Sequence, residues 1–292
     1  MQDFTGKLAV ITGGASGVGR SLAFALGAQG ARVLVADVDA DGLERVQTDL
    51  GEQHIDSHTQ YCDVSKPESV EALASRAFDE LGGAHLVFAN AGVSAGEAGN
   101  LWDYSPHDWQ WTFGVNFWGP LNAINAFMPR LTAQGEEAHF IATSSGNGAF
   151  IVYPEQPIYS ATKAAVAVVT EALHIQTRTQ QSPVKVHLLF PGPHIVDTGI
   201  FDSDRVRPEE FEKPEGAPDT GIRTAEDLRK IMEFMGHELR LTHPDEVAQS
   251  AIDGVRNDQF WIAPMNPDTK EKIKARFDSI LNQSEFPIPT LG

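Results

Sequence analysis

Apolar runs of strand length alternate with segments of helical periodicity along the chain. The runs are KLAVIT (7–12), ARVLVAD (31–37), AHLVFAN (84–90), HFIATSS (139–145), VKVHLLF (184–190) and QFWIAP (259–264), with HTQYCDV (58–64) a weaker seventh. Helical periodicity falls between them, near 17–29, 41–50, 67–81, 106–133, 157–181 and 244–256. Strands that are apolar almost throughout, separated by helices, predict a parallel sheet covered on both faces. Right-handed crossovers then make it a doubly wound α/β sheet of about seven strands.

One segment interrupts the alternation. Residues 199–241 separate the sixth run from the next helix and are rich in Pro, Asp, Glu and Arg. Insertions of this length in a compact domain are commonly functional or disordered. Within it, TAEDLRKIMEFMGHEL (224–239) has a threonine cap, acids in its first turn and apolar residues at 228, 231, 232, 235 and 239, so an amphipathic helix is expected there. The reading is one catalytic domain over 1–292, with a substrate lid at about 199–241 and a C-terminal extension at about 265–292.

Composition narrows the function classes. At 292 residues with 41% hydrophobic positions, the chain can bury a large core. The net charge of −18 and absence of any Lys/Arg cluster oppose a nucleic-acid partner. No run reaches the roughly 20 apolar residues of a membrane span, and the N-terminal stretch does not resemble a signal peptide. The single cysteine, Cys62, fits a reducing compartment, and a cytoplasmic location is expected. The closest histidines, His54 and His58, lack an HExxH pattern, so no metal site is expected. GASGVG does not provide the GxSxG elbow of a serine hydrolase.

The chemistry begins at TGGASGVG, Thr12 to Gly19, between the first strand and the first helix. Glycines permit a tight turn and a close approach, while the helix N-terminus offers N–H groups to a pyrophosphate. Gly13, Ser16, Gly17, Val18 and Gly19 are therefore candidate cofactor contacts on a Rossmann-type sheet. Asp37 closes the second strand, where a carboxylate accepts from both adenosine ribose hydroxyls and repels a 2′-phosphate, favouring NAD over NADP. Arg20 and Arg32 are the nearby cations in sequence. Asp63 and Val64 end the third strand at the same edge, either to hold the adenine or to cap the following helix.

TGGASGVG, NAG (90–92), the asparagine of GVNFWG (114–119), SS (144–145), YSATK (159–163) and PGP (191–193) occur in this order. The chain resembles a short-chain dehydrogenase/reductase of the common single-domain type over about residues 5 to 200. The resemblance implies acid–base work by Tyr159 and Lys163, which a helix would place on one face a turn apart. The ammonium then favours loss of the phenolic proton as hydride leaves the alcohol carbon, and Lys163 also bonds the nicotinamide ribose. It further implies that Ser145 polarises the substrate oxygen, with Ser144 filling the strand end, although the serine-to-tyrosine loop is one residue longer than usual. Asn116 would hold a water linking Lys163 to solvent. Asn90 and Gly92 would support the cofactor, and Pro191, Gly192 and Thr198 would hold the nicotinamide end. PGPHIVDT, however, carries two extra residues near His194 and Ile195, and His194 is a second candidate for reaching the substrate.

Substrate walls are expected from Ser94 to Glu97, Phe150 to Tyr153, Pro193 to Ile195 and the lid. Their apolar character suits a bulky hydrophobic or aromatic secondary alcohol or its ketone, and the tail and the long lid resemble those of members acting on aryl alcohols, such as aryl ether alcohols. The aromatic group Trp102, Trp109, Trp111, Phe113, Phe117 and Trp118 reads as helix packing or a subunit interface, and the family suggests a homodimer or homotetramer. The expected activity is NAD-dependent alcohol oxidation or ketone reduction. An NADPH-dependent carbonyl reductase and a non-catalytic NAD sensor are the alternatives.

Overall fold

The computed structural model describes residues 1–96 and 98–289. Its elements in chain order are β1 (Leu8–Thr12), α1 (Gly17–Gly27), β2 (Arg32–Asp37), α2 (Ala40–Glu52), β3 (Ser57–Tyr61), α3 (Pro67–Ser75), β4 (Leu86–Ala89), α4 (Pro106–Phe113), α5 (Gly119–Gln134) and β5 (Ala138–Thr143). There follow α6 (Gly146–Ala149), α7 (Pro157–Thr179), β6 (Val184–Leu189), β7 (Ile195–Val196), α8 (Ala225–Phe234), β8 (Leu241–Thr242), α9 (Pro244–Arg256), β9 (Trp261–Ile262) and α10 (Pro267–Asn282).

Seven strands form one parallel sheet in the order β3-β2-β1-β4-β5-β6-β9. Each of the seven apolar runs supplies one of them. Successive side chains of a strand face opposite ways, and β1 shows the result. Leu8 and Val10 join the core shared with α3, α5 and α7, whereas Ala9 and Ile11 join the core shared with α1, α2 and α9. Chain order reverses between β1 and β4, which opens a crevice at the carboxyl ends of the strands, where ligands bind in such sheets.

Two expected helices are interrupted. The segment expected as one helix over 106–133 is α4 and α5 joined by a π-helical turn, Gly114–Trp118, and α3 runs into a second such turn, Arg76–Glu80. In the first case the extra residue per turn turns Asn116 inward, and its side chain is fully buried. The helix expected over 224–239 ends earlier, at Phe234. Gly236 adopts φ 83°, a left-handed conformation that stops the helix, and the His237 N–H donates back to the Met232 carbonyl at 2.8 Å. Leu239 therefore lies outside it.

The inserted segment leaves and re-enters the body at one point. Ile195–Val196 pairs in parallel with Leu241–Thr242, and the His194 N–H donates to Thr242 Oγ1 at 3.1 Å. His194 and Ile195 of PGPHIVDT thus both take part in this neck. Beyond it, the first part of the insertion is fastened to α4 by a buried ion pair, Arg207 Nη2 to Asp108 Oδ1 at 2.7 Å, with the guanidinium 4.8 Å from the centroid of Trp111. Burial alone would raise the Asp108 carboxyl, but hydrogen bonds from Arg207 and from Ser105 outweigh it and hold the group below its ordinary value. Truncating one partner of a buried pair strands the other charge, at a cost of about 3–5 kcal/mol. Arg207→Met should accordingly release the insertion from α4. Limited proteolysis within 207–224 should then accelerate well before global melting changes, and equal cleavage rates in the two proteins would refute this latch.

Candidate active site

A cleft of about 1690 Å³ runs along the carboxyl edge of the sheet and beneath the insertion. Gly13, Ser16, Gly17 and Val18 line one end of it, directly after β1. Gly13 has φ 66°, and a Cβ there would stand 2.7 Å from the Ala91 backbone, so only glycine lets the turn after β1 meet the chain after β4. Gly19 does not line the cleft. A Cβ on it would run into the Gly13 carbonyl, so glycine here lets α1 pack against the turn.

Asp37 lines the cleft at the tip of β2, its carboxylate held by the N–H groups of Ala15 (3.0 Å) and Asp39 (3.0 Å). The cations near in sequence are engaged elsewhere. Arg20 pairs with Asp49 at 2.7 Å, and Arg32 bonds Asp56 and the Leu81 carbonyl. Arg45 lies 3.8 Å from Asp39 but is 68% exposed in its side chain. The edge around Asp37 is thus acidic, with Asp39 and Asp41 also lining the cleft. Asp63 and Val64 lie there too. The Asp63 carboxylate accepts from the Ser65 N–H (2.9 Å) and hydroxyl (2.7 Å), forming the turn that leads into α3.

At the centre of the crevice Asn90 ties two strands together, donating through Nδ2 to the Thr12 carbonyl at 3.1 Å and accepting from Thr143 Oγ1 at 3.3 Å. Thr12 and Thr143 were not singled out from sequence, because threonine at a strand end carries no distinctive pattern. Gly92 sits where a Cβ would come within 3.4 Å of Lys163 Nζ and 3.5 Å of Asn116 Oδ1, which shows how close these groups lie.

Tyr159 and Lys163 share one face of α7, with Lys163 Nζ 5.5 Å from the Tyr159 ring centroid, and both line the cleft. Lys163 is 3% exposed and donates to the Thr143 carbonyl at 3.1 Å. Burial pushes its ammonium down from the ordinary 10.5 to about 8. Asn116 lies beneath, outside the lining. It clasps the Val93 peptide, accepting from its N–H at 2.8 Å and donating to its carbonyl at 2.9 Å, and donates to Thr162 Oγ1 at 3.2 Å.

The serines divide cleanly. Ser144 is 1% exposed and gives its hydroxyl proton to the Lys163 carbonyl at 2.8 Å, while Ser145 is half-buried and its Oγ accepts from the Asn147 N–H at 3.2 Å. Pro191, Gly192 and Thr198 line the cleft after β6, and a Cβ on Gly17 would touch Thr198 Cγ2 at 3.0 Å, so the two ends of the crevice meet. His194 lines it as well. Among the expected walls, Ser94, Gly96, Phe150, Ile151 and Tyr153 line the cleft, Val152 does not, and Glu97 lies outside the described residues. The insertion contributes Leu228, Ile231, Met232 and Met235, and α10 adds residues from its first turn that no periodicity in the sequence pointed to.

A family model of the short chain dehydrogenases matches residues 7–207. The chain belongs to the short-chain dehydrogenase family. A crystal structure of a short-chain dehydrogenase/reductase from Burkholderia phymatum in complex with NAD superposes with a TM-score of 0.87 at 32% identity, covering 100% of this chain and 99% of that one. Among relatives, a 1-deoxy-11-beta-hydroxypentalenate dehydrogenase of Streptomyces exfoliatus is 31% identical over 284 residues, 97% of this chain and 92% of its own length. A C alpha-dehydrogenase of a Sphingobium species is 28% identical over 283 residues, 97% and 88% of the two chains. This short-chain dehydrogenase is an oxidoreductase, and its relatives extend along the insertion and tail as well as the sheet.

Proposed function

We propose that the protein is an NAD-dependent dehydrogenase that interconverts a bulky hydrophobic secondary alcohol and its ketone. The observation that carries this reading is the joining of Tyr159, Lys163 and Ser145 to the Gly13–Val18 turn and Asp37 in one cleft.

The residues fit a dinucleotide. The Gly13–Val18 turn and the first N–H groups of α1 would hold the pyrophosphate, Asp37 the adenosine ribose, Lys163 the nicotinamide ribose, and Pro191, Gly192 and Thr198 the nicotinamide end. When bound, NAD accepts a hydride from the alcohol carbon or, reduced, returns it. Ser145 gives a hydrogen bond to the substrate oxygen. Tyr159 takes the hydroxyl proton during oxidation and gives it back during reduction. Lys163, its ammonium brought down to about 8 by burial and still charged at neutral pH, favours that transfer, and Asn116 stands beside it with its grip on the Val93 peptide. Phe150, Ile151, Leu228, Met232 and Met235 make the substrate side largely apolar. The 1-deoxy-11-beta-hydroxypentalenate named for one relative supports a hydroxylated carbon as the site of reaction. The insertion acts as the lid. Exposed Trp118, Val168 and Ile175 supply an apolar surface for a homodimer or homotetramer, and the single, buried Cys62 suits the cytoplasm.

The test is appearance of reduced nicotinamide with a panel of aryl, steroid, terpene and polyol secondary alcohols, using NAD and NADP in parallel. NAD should support turnover of one apolar class and NADP should not. In Asp37→Ser two charge-assisted hydrogen bonds are lost, so kcat/KM with NAD should fall by roughly 10²-fold while that with NADP rises. An Asp37→Ser protein with unchanged cofactor preference favours the NADPH reductase, and NAD binding without turnover of any alcohol or matching ketone favours the sensor.

A further inference from the structure

In the segment from Ser145 to Tyr159, Asn147 stands at a sharp bend of the chain. Asn147 is extended, with φ −72° and ψ 119°, while Gly148 has φ 101° and ψ −59°, open to glycine and strained for other residues. A Cβ on Gly148 would collide with the Ser160 carbonyl. The chain doubles back here, and the Gly148 N–H donates to the Ile151 carbonyl at 2.6 Å.

The Asn147 side chain binds this bend to the start of α7. Oδ1 lies 2.7 Å from Ser160 Oγ, whose single hydrogen is also within reach of the Gln156 carbonyl at 2.6 Å, and accepts from the Tyr153 N–H at 3.3 Å, while Nδ2 donates to Gln156 Oε1 at 2.9 Å. From the other side, Arg276 of α10 donates through Nη1 to the carbonyls of Gly148 (3.3 Å) and Ala149 (3.5 Å). The bend is thus gripped by α7 and by the C-terminal helix.

What the grip fixes is a single hydrogen bond. The Asn147 N–H donates to Ser145 Oγ at 3.2 Å. A serine hydroxyl has one hydrogen and two acceptor directions. With one acceptor direction held by this N–H, the rotor is restricted and the hydroxyl hydrogen is turned away from Asn147, on a side chain that lines the cleft.

We propose that Asn147 is a positioning residue that aims the Ser145 hydroxyl at the substrate oxygen, with Arg276 bracing the same bend from the C-terminal helix. The proposal rests on the reading of Ser145 given above. Asn147 acts through Ser145 and does not itself meet the substrate.

A double-mutant cycle tests it, using Asn147→Ala, Ser145→Ala and the pair together on an alcohol that the wild type oxidises. NADH affinity is followed by protein fluorescence. Asn147→Ala should lower kcat about 10-fold, in keeping with the cost of a small misplacement of a reacting group, with NADH affinity unchanged. In the Ser145→Ala background the same change should cost less than about twofold, because residues that act as a unit are not additive. Asn147→Asp keeps both acceptor contacts, Gln156 can turn its amide to donate, and most activity should return. Multiplicative losses in the double variant, or an Asn147→Ala enzyme of full activity, would overturn the proposal while leaving the role of Ser145 intact. Full activity in Ser145→Ala would remove the role of Ser145 itself, and this proposal with it. If Asn147→Ala does not fold, Arg276→Met enters the same cycle, with a smaller loss in kcat that should vanish in the Ser145→Ala background.

Discussion

Tyr159→Phe should lower kcat by about 10² to 10⁴-fold, the range that general acid–base catalysis contributes, while NADH binds as tightly as before. The substitution removes one oxygen and keeps the ring, so α7 and the cation–π contact with Lys163 remain as they are. The alcohol can still enter, and its proton has no acceptor at the right place. The loss should therefore appear in kcat at every pH, with little change in KM. A variant that turns over within a factor of about three of wild type would refute the acid–base assignment, since no such residual rate is compatible with a missing proton carrier. A variant that also loses NADH would show that the change had disturbed the crevice instead.

The second large effect concerns stability in acid and arises far from the cleft. His139 of β5 and His187 of β6 stack in the core, ring centroids 5.0 Å apart, with Nδ1 of one 2.8 Å from Nε2 of the other. His187 Nδ1 lies 2.7 Å from the Gln259 carbonyl, which can only accept, so His187 donates there and its Nε2 is left to accept from His139. A proton added to His187 would set two N–H groups against each other. Burial lowers both rings from the ordinary 6.5, His139 to about 3 and His187 to about 4. The Met1 amine and Glu137 face the far side of His139, and Asp258 and Lys185 act on the pair from outside.

A depressed folded value means that the unfolded chain binds these protons first. The stabilisation is fully present above pH 6.5 and is lost as pH falls toward the folded values of about 4 and 3. At pH 5 the loss is about 2 kcal/mol per ring, and the melting temperature should drop by roughly 10 °C relative to pH 7.5. His187→Gln can keep both hydrogen bonds without titrating, so it should flatten this slope by about half. A melting temperature constant between pH 7.5 and 5, or an equal slope in the variant, would show that these rings are not the source.

The sheet was legible because its central strands are buried on both faces and read as unbroken apolar runs, whereas the edge strand β3, half-exposed and polar, gave only a weak signal. The glycine turn, Asp37, Tyr159 and Lys163 were legible because their spacing is tied to one strand–turn–helix and one helical turn. Other features depended on contacts across the fold. Nothing local to GVNFWG distinguishes a π turn from an ordinary helix, since the reason for it is the Val93 peptide on another segment. Gly19 follows the same glycine pattern as Gly13 and Gly17, and only the packing of α1 on the Gly13 carbonyl sets its place apart from theirs. The helix end at Phe234 was set by Gly236, a stop signal that the apolar residue at 239 obscured. Arg276 and the first turn of α10 were invisible because a C-terminal helix gives no hint in its own sequence of which loop it will rest on.

The parallel pairing of Ile195–Val196 with Leu241–Thr242 closes the region over the cleft into a loop of its own, with both ends at one place. With the two ends already brought together, the chain between them can double in length at about 0.6 kcal/mol in closure entropy. Variation there leaves the Gly13 turn, Tyr159 and Lys163 where they stand. A chimaera cut at these two short strands would exchange that region as one unit and leave the sheet uncut.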